Sequence, residues 1–182
     1  MDRFTLQCEE AILLIIDIQE RLMPVMKYGD QVINKTNILI AVAKRLGMPI
    51  VFTEQYPKGL GRTVPEVADN LAGAVCWEKM TFSACTPELM EGLAQAGRRK
   101  VIITGMETHV CVFQTVRGLL QSGYQVFLAG DAICSRTKEN WRNGLALMQA
   151  MGAVITNTET VFFDLMQQAG TPEFKELSKL IK

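Results

Sequence analysis

With 182 residues, the chain is long enough for one well-buried domain and short for two. Lys plus Arg equals Asp plus Glu at 19 each, so the formal net charge is zero. That argues against a general electrostatic role on nucleic acid or an anionic membrane, and it removes charge repulsion between copies. Five cysteines show no framework spacing, no basic-then-apolar leader opens the chain, and no apolar stretch is long enough to span a bilayer. A reduced, cytoplasmic protein is the expectation. The single histidine, His109, argues against a His-rich zinc site.

In chain order, Ala11-Ile-Leu-Leu-Ile-Ile-Asp17 reads as a first strand, a continuous apolar run ending in an acid. A helix follows, capped by Asp30, with Val32, Ile33, Thr36, Leu39, Ile40, Ala43 and Leu46 on one face. Gly47 stops it, and Pro49 to Glu54 is the second strand. Residues 55–70 are rich in Gly and Pro and read as a loop, with a short helix after Pro65. Ala74 to Lys79 is the weakest strand, and Thr86-Pro87-Glu88 is a strong helix start.

Lys100-Val-Ile-Ile-Thr-Gly105-Met-Glu-Thr-His-Val-Cys111-Val reads as a buried strand, a tight turn at Gly105 and a helix capped by Thr108. Cys111 would then lie in the first helical turn, where the dipole and free N–H groups favour thiolate. It also reads as a small buried hydrophobe, as most free cysteines are. Gln125 to Asp131 is the fifth strand, and Thr137 caps a helix ending at Gly152. Ala153 to Asn157 is the last strand, and two helices close the chain around 161–168 and 172–181.

Strand and helix alternate throughout, with no repeat and no linker. This predicts one domain over residues 1–182: a three-layer α/β/α Rossmann-like fold with a six-stranded parallel sheet in the order 3-2-1-4-5-6. Ligands bind such sheets outside the carboxyl ends of the strands, where the order reverses. The reversal falls between the first and fourth strands, which deliver Asp17 and Cys111, and the third strand brings Lys79 to the same edge. A cysteine nucleophile needs a base, and a carboxylate serves if held close. A neighbouring ammonium would favour both the carboxylate and the thiolate. Each residue also has an ordinary reading: a strand-end acid caps a helix, and a strand-end lysine is solvated.

Asp17 before Gln19, Lys79 followed by Thr81-Phe82-Ser83-Ala84, and Gly105-Met-Glu-Thr-His-Val-Cys111-Val resemble the isochorismatase-like cysteine hydrolases. Asp131-Ala132 followed by Ser135 fits the same pattern, and Thr53 to Gly61 resembles the isochorismatase domain-containing subgroup. The resemblance implies an Asp17, Lys79 and Cys111 triad, a cis peptide at Met106–Glu107, and an oxyanion hole from the backbone N–H groups of Glu107 and Cys111. It implies cofactor-free cleavage of a C–N bond in a small amide, imide or ureido compound, through a thioester on Cys111, by a homo-oligomer. Isochorismate-type vinyl ether hydrolysis and a non-catalytic binding or scaffold protein remain as alternatives.

Tyr56 stands where the zinc-binding branch has a histidine, so no metal is expected. Glu107 replaces a smaller residue and reads either as exposed at the pocket mouth or as touching substrate. Gln19, Tyr56, Trp77 and Phe82 are candidate substrate contacts, with burial in the core as the competing reading for the three aromatics. His109 reads as a mobile surface histidine, and Cys8, Cys76, Cys85 and Cys134 as small apolar packing groups.

Overall fold

The computed structural model describes residues 3–182. Six strands form one parallel sheet in the order β3-β2-β1-β4-β5-β6, as the alternation of apolar runs and amphipathic segments predicts. The strands are β1 (Ala11–Ile16), β2 (Ile50–Gln55), β3 (Val75–Lys79), β4 (Lys100–Met106), β5 (Gln125–Cys134) and β6 (Val154–Thr156).

Successive side chains of a strand point to opposite faces. In β1, Ala11, Leu13 and Ile15 join the core under α1 (Gly29–Arg45) and α7 (Thr158–Met166). Ile12, Leu14 and Ile16 face the opposite core, under α4 (Pro87–Gln95), α5 (Phe113–Gln121) and α6 (Lys138–Ala150). Covering both faces is why β1 reads as an unbroken apolar run. Each Leu or Ile buried there contributes about 1.5–3 kcal/mol relative to exposure. The short helices α2 (Pro57–Leu60) and α3 (Pro65–Ala68) interrupt the loop after β2, and α8 (Pro172–Leu177) closes the chain with a final 3-10 turn.

Thr86 and Thr137 cap α4 and α6 as predicted, their hydroxyls accepting from the N–H of Leu89 and Asn140. Asp30 instead lies inside the first turn of α1, behind Tyr28 at the cap position. Gly105 belongs to β4 rather than to a turn; its φ of 119° lets the strand press against β1 opposite Ile16. β5 runs three residues past Asp131 and bulges, so inward positions switch from Phe127 and Ala129 to Ala132 and Cys134. Extra residues in a strand flip its faces in this way. β3 lies at the sheet edge with only Lys79 buried, which explains its weak apolar signature. No described helix is long and apolar enough to cross a membrane.

Candidate active site

Asp17 leaves β1 at φ 50°, a left-handed conformation that Asp tolerates better than most residues, and it is fully buried. Thr53 Oγ1 donates to its Oδ1 at 2.7 Å, and Lys79 Nζ donates to its Oδ2 at 2.6 Å. Lys79 also donates to Gln55 Oε1 at 2.8 Å and to the carbonyls of Phe82 and Thr81 at 3.1 and 3.2 Å. A buried ammonium needs such a full set of acceptors. Cys111, 6% exposed, points its sulfur at Gln55 Oε1, 3.8 Å away, and lies within the field of the Asp17 carboxylate. The topology thus brings together the three residues expected to converge.

The charge state of Cys111 differs from the expectation. Burial first, and then the Asp17 carboxylate, push its thiol up to about 12, against the downward pull of Lys79. The resting group is a neutral thiol. The helix start takes an unexpected form, because residues Thr108–Val112 make a π-helical turn that runs into α5. There the N–H groups of Val110 and Val112 both go to the Glu107 carbonyl, and that of Cys111 stays out of this pairing. Thr108 caps nothing: its hydroxyl is buried without a hydrogen-bond partner among the described residues, and its methyl lies over Gly144. The Met106–Glu107 peptide is cis.

Two residues outside the sequence-derived set bind the cluster together. Gln55 donates to the Met80 carbonyl at 2.9 Å, which turns its oxygen toward both Lys79 and Cys111. Thr115 donates to the Cys111 carbonyl at 2.6 Å and accepts from the Ala84 N–H at 2.8 Å, so it ties the Cys111 turn to the loop after Lys79. Thr53 and Gln55 were detectable in principle, since residues two apart on a strand share a face.

The four candidate substrate contacts are held in different ways. Gln19 is fully buried, and its amide donates to the Gln55 and Gly61 carbonyls and accepts from the Gln55 N–H. It clamps two backbone segments, with no donor left for a ligand. Trp77 packs toward Gly92 of α4, against the same core cluster as Cys111. Tyr56 is exposed, with its ring laid over Gly59. Phe82 is also exposed; its carbonyl, rather than its ring, touches the cluster.

Glu107 is not open at the mouth, because Arg136 holds it through Nε at 3.1 Å and its backbone N–H at 3.2 Å. His109 is not mobile: its Nδ1 lies 3.0 Å from the buried Ser135 hydroxyl. Cys76 is exposed on the edge strand rather than packed. Glu54, at the start of the segment compared with the zinc-binding branch, accepts from the Thr63 N–H and hydroxyl and pairs with Arg62. Among the described residues no group of three His, Cys, Asp or Glu side chains could hold a metal ion. A cleft of about 460 Å³ between Tyr28, Ile133, Trp141 and Leu145 is lined by none of the three candidate catalytic residues.

Sheet order, strand-end acid and cysteine turn together define an isochorismatase-type α/β domain. The isochorismatase domain model matches residues 11–160, and the chain belongs to this family. The chain is 40% identical over 177 residues to the secreted isochorismatase effector Isc1 of Phytophthora sojae, covering 94% of this chain and 84% of that protein. It is 38% identical to isochorismatase domain-containing protein 1 of Danio rerio, but spans only 61% of that longer relative. The solved MAR1 ribonuclease of Caenorhabditis elegans superposes with a TM-score of 0.93 at 35% identity, covering 97% of this chain and 92% of that one.

Proposed function

We propose that this chain is a cofactor-free cysteine hydrolase that opens a C–N bond in a small amide, imide or ureido compound. The observation that carries the reading is the buried cluster in which Lys79 pairs with Asp17 and shares the Gln55 amide oxygen with the Cys111 thiol. Asp17 takes the thiol proton as the sulfur attacks the carbonyl carbon. The N–H groups of Glu107 and Cys111 receive the developing oxyanion, an arrangement whose single donors are typically worth on the order of 10²–10³ in rate. Asp17 returns the proton to the departing nitrogen, and water then hydrolyses the thioester. Lys79 orients Asp17 and balances its charge inside the protein.

Turnover of a panel of small primary amides and ureido compounds tests this, with ammonia release as the readout. Cys111→Ala should lower a confirmed turnover by at least about 10³-fold; a variant that retains it overturns the scheme. A thiol near 12 also predicts slow alkylation at pH 7, on the order of a hundredfold below a free thiol, rising steeply with pH. Peptide mass spectrometry of Cys111 against the unfolded chain checks this, and faster reaction than in the unfolded chain would contradict it.

The protonated thiol equally fits a non-catalytic scaffold on the same fold, and the amide panel decides between them. The ribonuclease name belongs to the nematode relative; zero net charge gives this chain no general attraction to RNA. Cytoplasmic residence and a homo-oligomeric state stay part of the proposal. Sedimentation velocity giving only a 20.3 kDa species would remove the second.

A further inference from the structure

We infer that Gln55 is the positioning residue of the nucleophile: its amide oxygen holds the Cys111 S–H at rest and keeps the Lys79 ammonium from the sulfur. This rests on Cys111 being the nucleophile. The neighbours of the Gln55 amide fix its orientation. Its Nε2 donates to the Met80 carbonyl at 2.9 Å, and its Oε1 accepts from Lys79 Nζ at 2.8 Å. The reversed amide would set an NH2 group against an ammonium, donor against donor. The main chain of the residue is fixed as firmly. The buried Gln19 side chain accepts from the Gln55 N–H at 2.8 Å and donates to the Gln55 carbonyl at 3.0 Å. One oxygen is thereby held at one place, and the Cys111 sulfur donates to it across 3.8 Å.

That oxygen acts on Cys111 in two ways. It accepts a hydrogen bond from a thiol but offers only lone pairs to a thiolate, so the contact favours the neutral form. It also takes up one of the three protons of Lys79, whose other acceptors are Asp17 at 2.6 Å and the carbonyls of Phe82 and Thr81. Lys79 therefore stays with Asp17 and forms no ion pair with sulfur. The charged groups that act on the thiol are Asp17 at the end of β1, Lys79 at the end of β3 and Glu107 after β4. The single cation among them is the one that Gln55 engages. An amide oxygen holds the S–H but cannot keep its proton. Ionisation thus requires the S–H to leave Gln55 for Asp17, the base of the proposed mechanism. Thr53 occupies Oδ1 of that carboxylate and Lys79 occupies Oδ2, and each oxygen keeps a second lone pair.

Iodoacetamide alkylation and the S–H stretch of Cys111 test this on the purified protein, without a known substrate. Gln55→Met keeps the length of the side chain and removes the oxygen. Gln55→Glu keeps the shape and adds negative charge beside the sulfur. At pH 9, Gln55→Met should alkylate Cys111 about tenfold faster than the wild type, and Gln55→Glu about tenfold slower, each in step with the thiolate fraction. Peptide mass spectrometry reads the rates. A loosened site would speed both variants, so it cannot imitate the pair. The S–H stretch lies in an infrared window clear of other protein bands, and the Cys111 band is the one missing from Cys111→Ala. Gln55→Met should move that band and leave it distinct from the band of the urea-unfolded chain. A band that Gln55→Met leaves in place, a Gln55→Met rate no faster than the wild type, or a Gln55→Glu rate no slower would each overturn the inference and leave the nucleophile reading standing. Turnover retained by Cys111→Ala overturns the nucleophile reading instead, and the role of Gln55 falls with it.

Discussion

Replacing Gly105 with alanine is expected to prevent the chain from reaching its native structure. A Cβ at this position would lie 1.9 Å from the Ile16 carbonyl oxygen and 2.7 Å from the Ile16 backbone carbon and nitrogen. The obstacle is the backbone of Ile16, so no rotamer change relieves it. Gly105 also sits at φ 119°, where a side chain is disfavoured in any case. Since Gly105 pairs with Ile16, the only escape is to push β4 away from β1 where the chain enters Asp17. The expected loss exceeds about 5 kcal/mol, comparable with the whole stability of many domains. Gly123 supplies the control. It has φ 80° but nothing within 4 Å of a new Cβ, so Gly123→Ala should cost only about 1–2 kcal/mol. Urea unfolding of the two variants separates close approach from backbone angle, and equal losses would refute the argument.

This glycine marks the limit of what the sequence discloses. The apolar run before it announces a strand, and a glycine after such a run normally announces a turn. Its actual role depends on the neighbouring strand, which local sequence does not show. Alternation of elements and right-handed crossovers, by contrast, disclose the parallel sheet, and the order 3-2-1-4-5-6 then places Asp17, Lys79 and Cys111 at one edge. What local sequence hid were contacts made through amides and hydroxyls. Gln55 reaches Lys79 and Cys111 across 24 and 56 residues, and Thr115 reaches Ala84 across 31, so these contacts depend on the assembled fold. Gln19 and Trp77 stand near the right strands, yet one faces backbone and the other a helix.

The thiol departs from expectation for a related reason. A cysteine at a helix start is stabilised as thiolate when water and free N–H groups reach it. Here the neighbours Asp17, Lys79 and Gln55 are each at most 8% exposed, and burial outweighs the positive end of a helix. Under the proposed mechanism, a protonated resting thiol suits a nucleophile that would ionise only as it attacks, with Asp17 as the acceptor of the proton. It also protects the sulfur from adventitious oxidation, which acts on thiolate.

Lys79→Met is expected to lower stability by about 3–5 kcal/mol, because it leaves the Asp17 carboxylate buried without its counter-ion. The side chains of this pair are 1% and 0% exposed, so water cannot take the place of the ammonium. Methionine fills most of the lysine stem, which confines the change to charge and donors and avoids a large cavity. Adding Asp17→Asn to the same chain removes the unpaired charge, and a buried ion pair replaced by neutral groups often costs little. The double variant should therefore recover most of the lost stability while remaining without turnover. That combination distinguishes a pair held for chemistry from one held for folding. Urea unfolding of both single variants and the double gives the coupling energy directly. A Lys79→Met loss below about 1 kcal/mol would mean that the charge is solvated after all. A double variant no more stable than the worse single would mean that the pair anchors the sheet edge itself, through the Lys79 contacts to Thr81 and Phe82, rather than poising Asp17 beside Cys111.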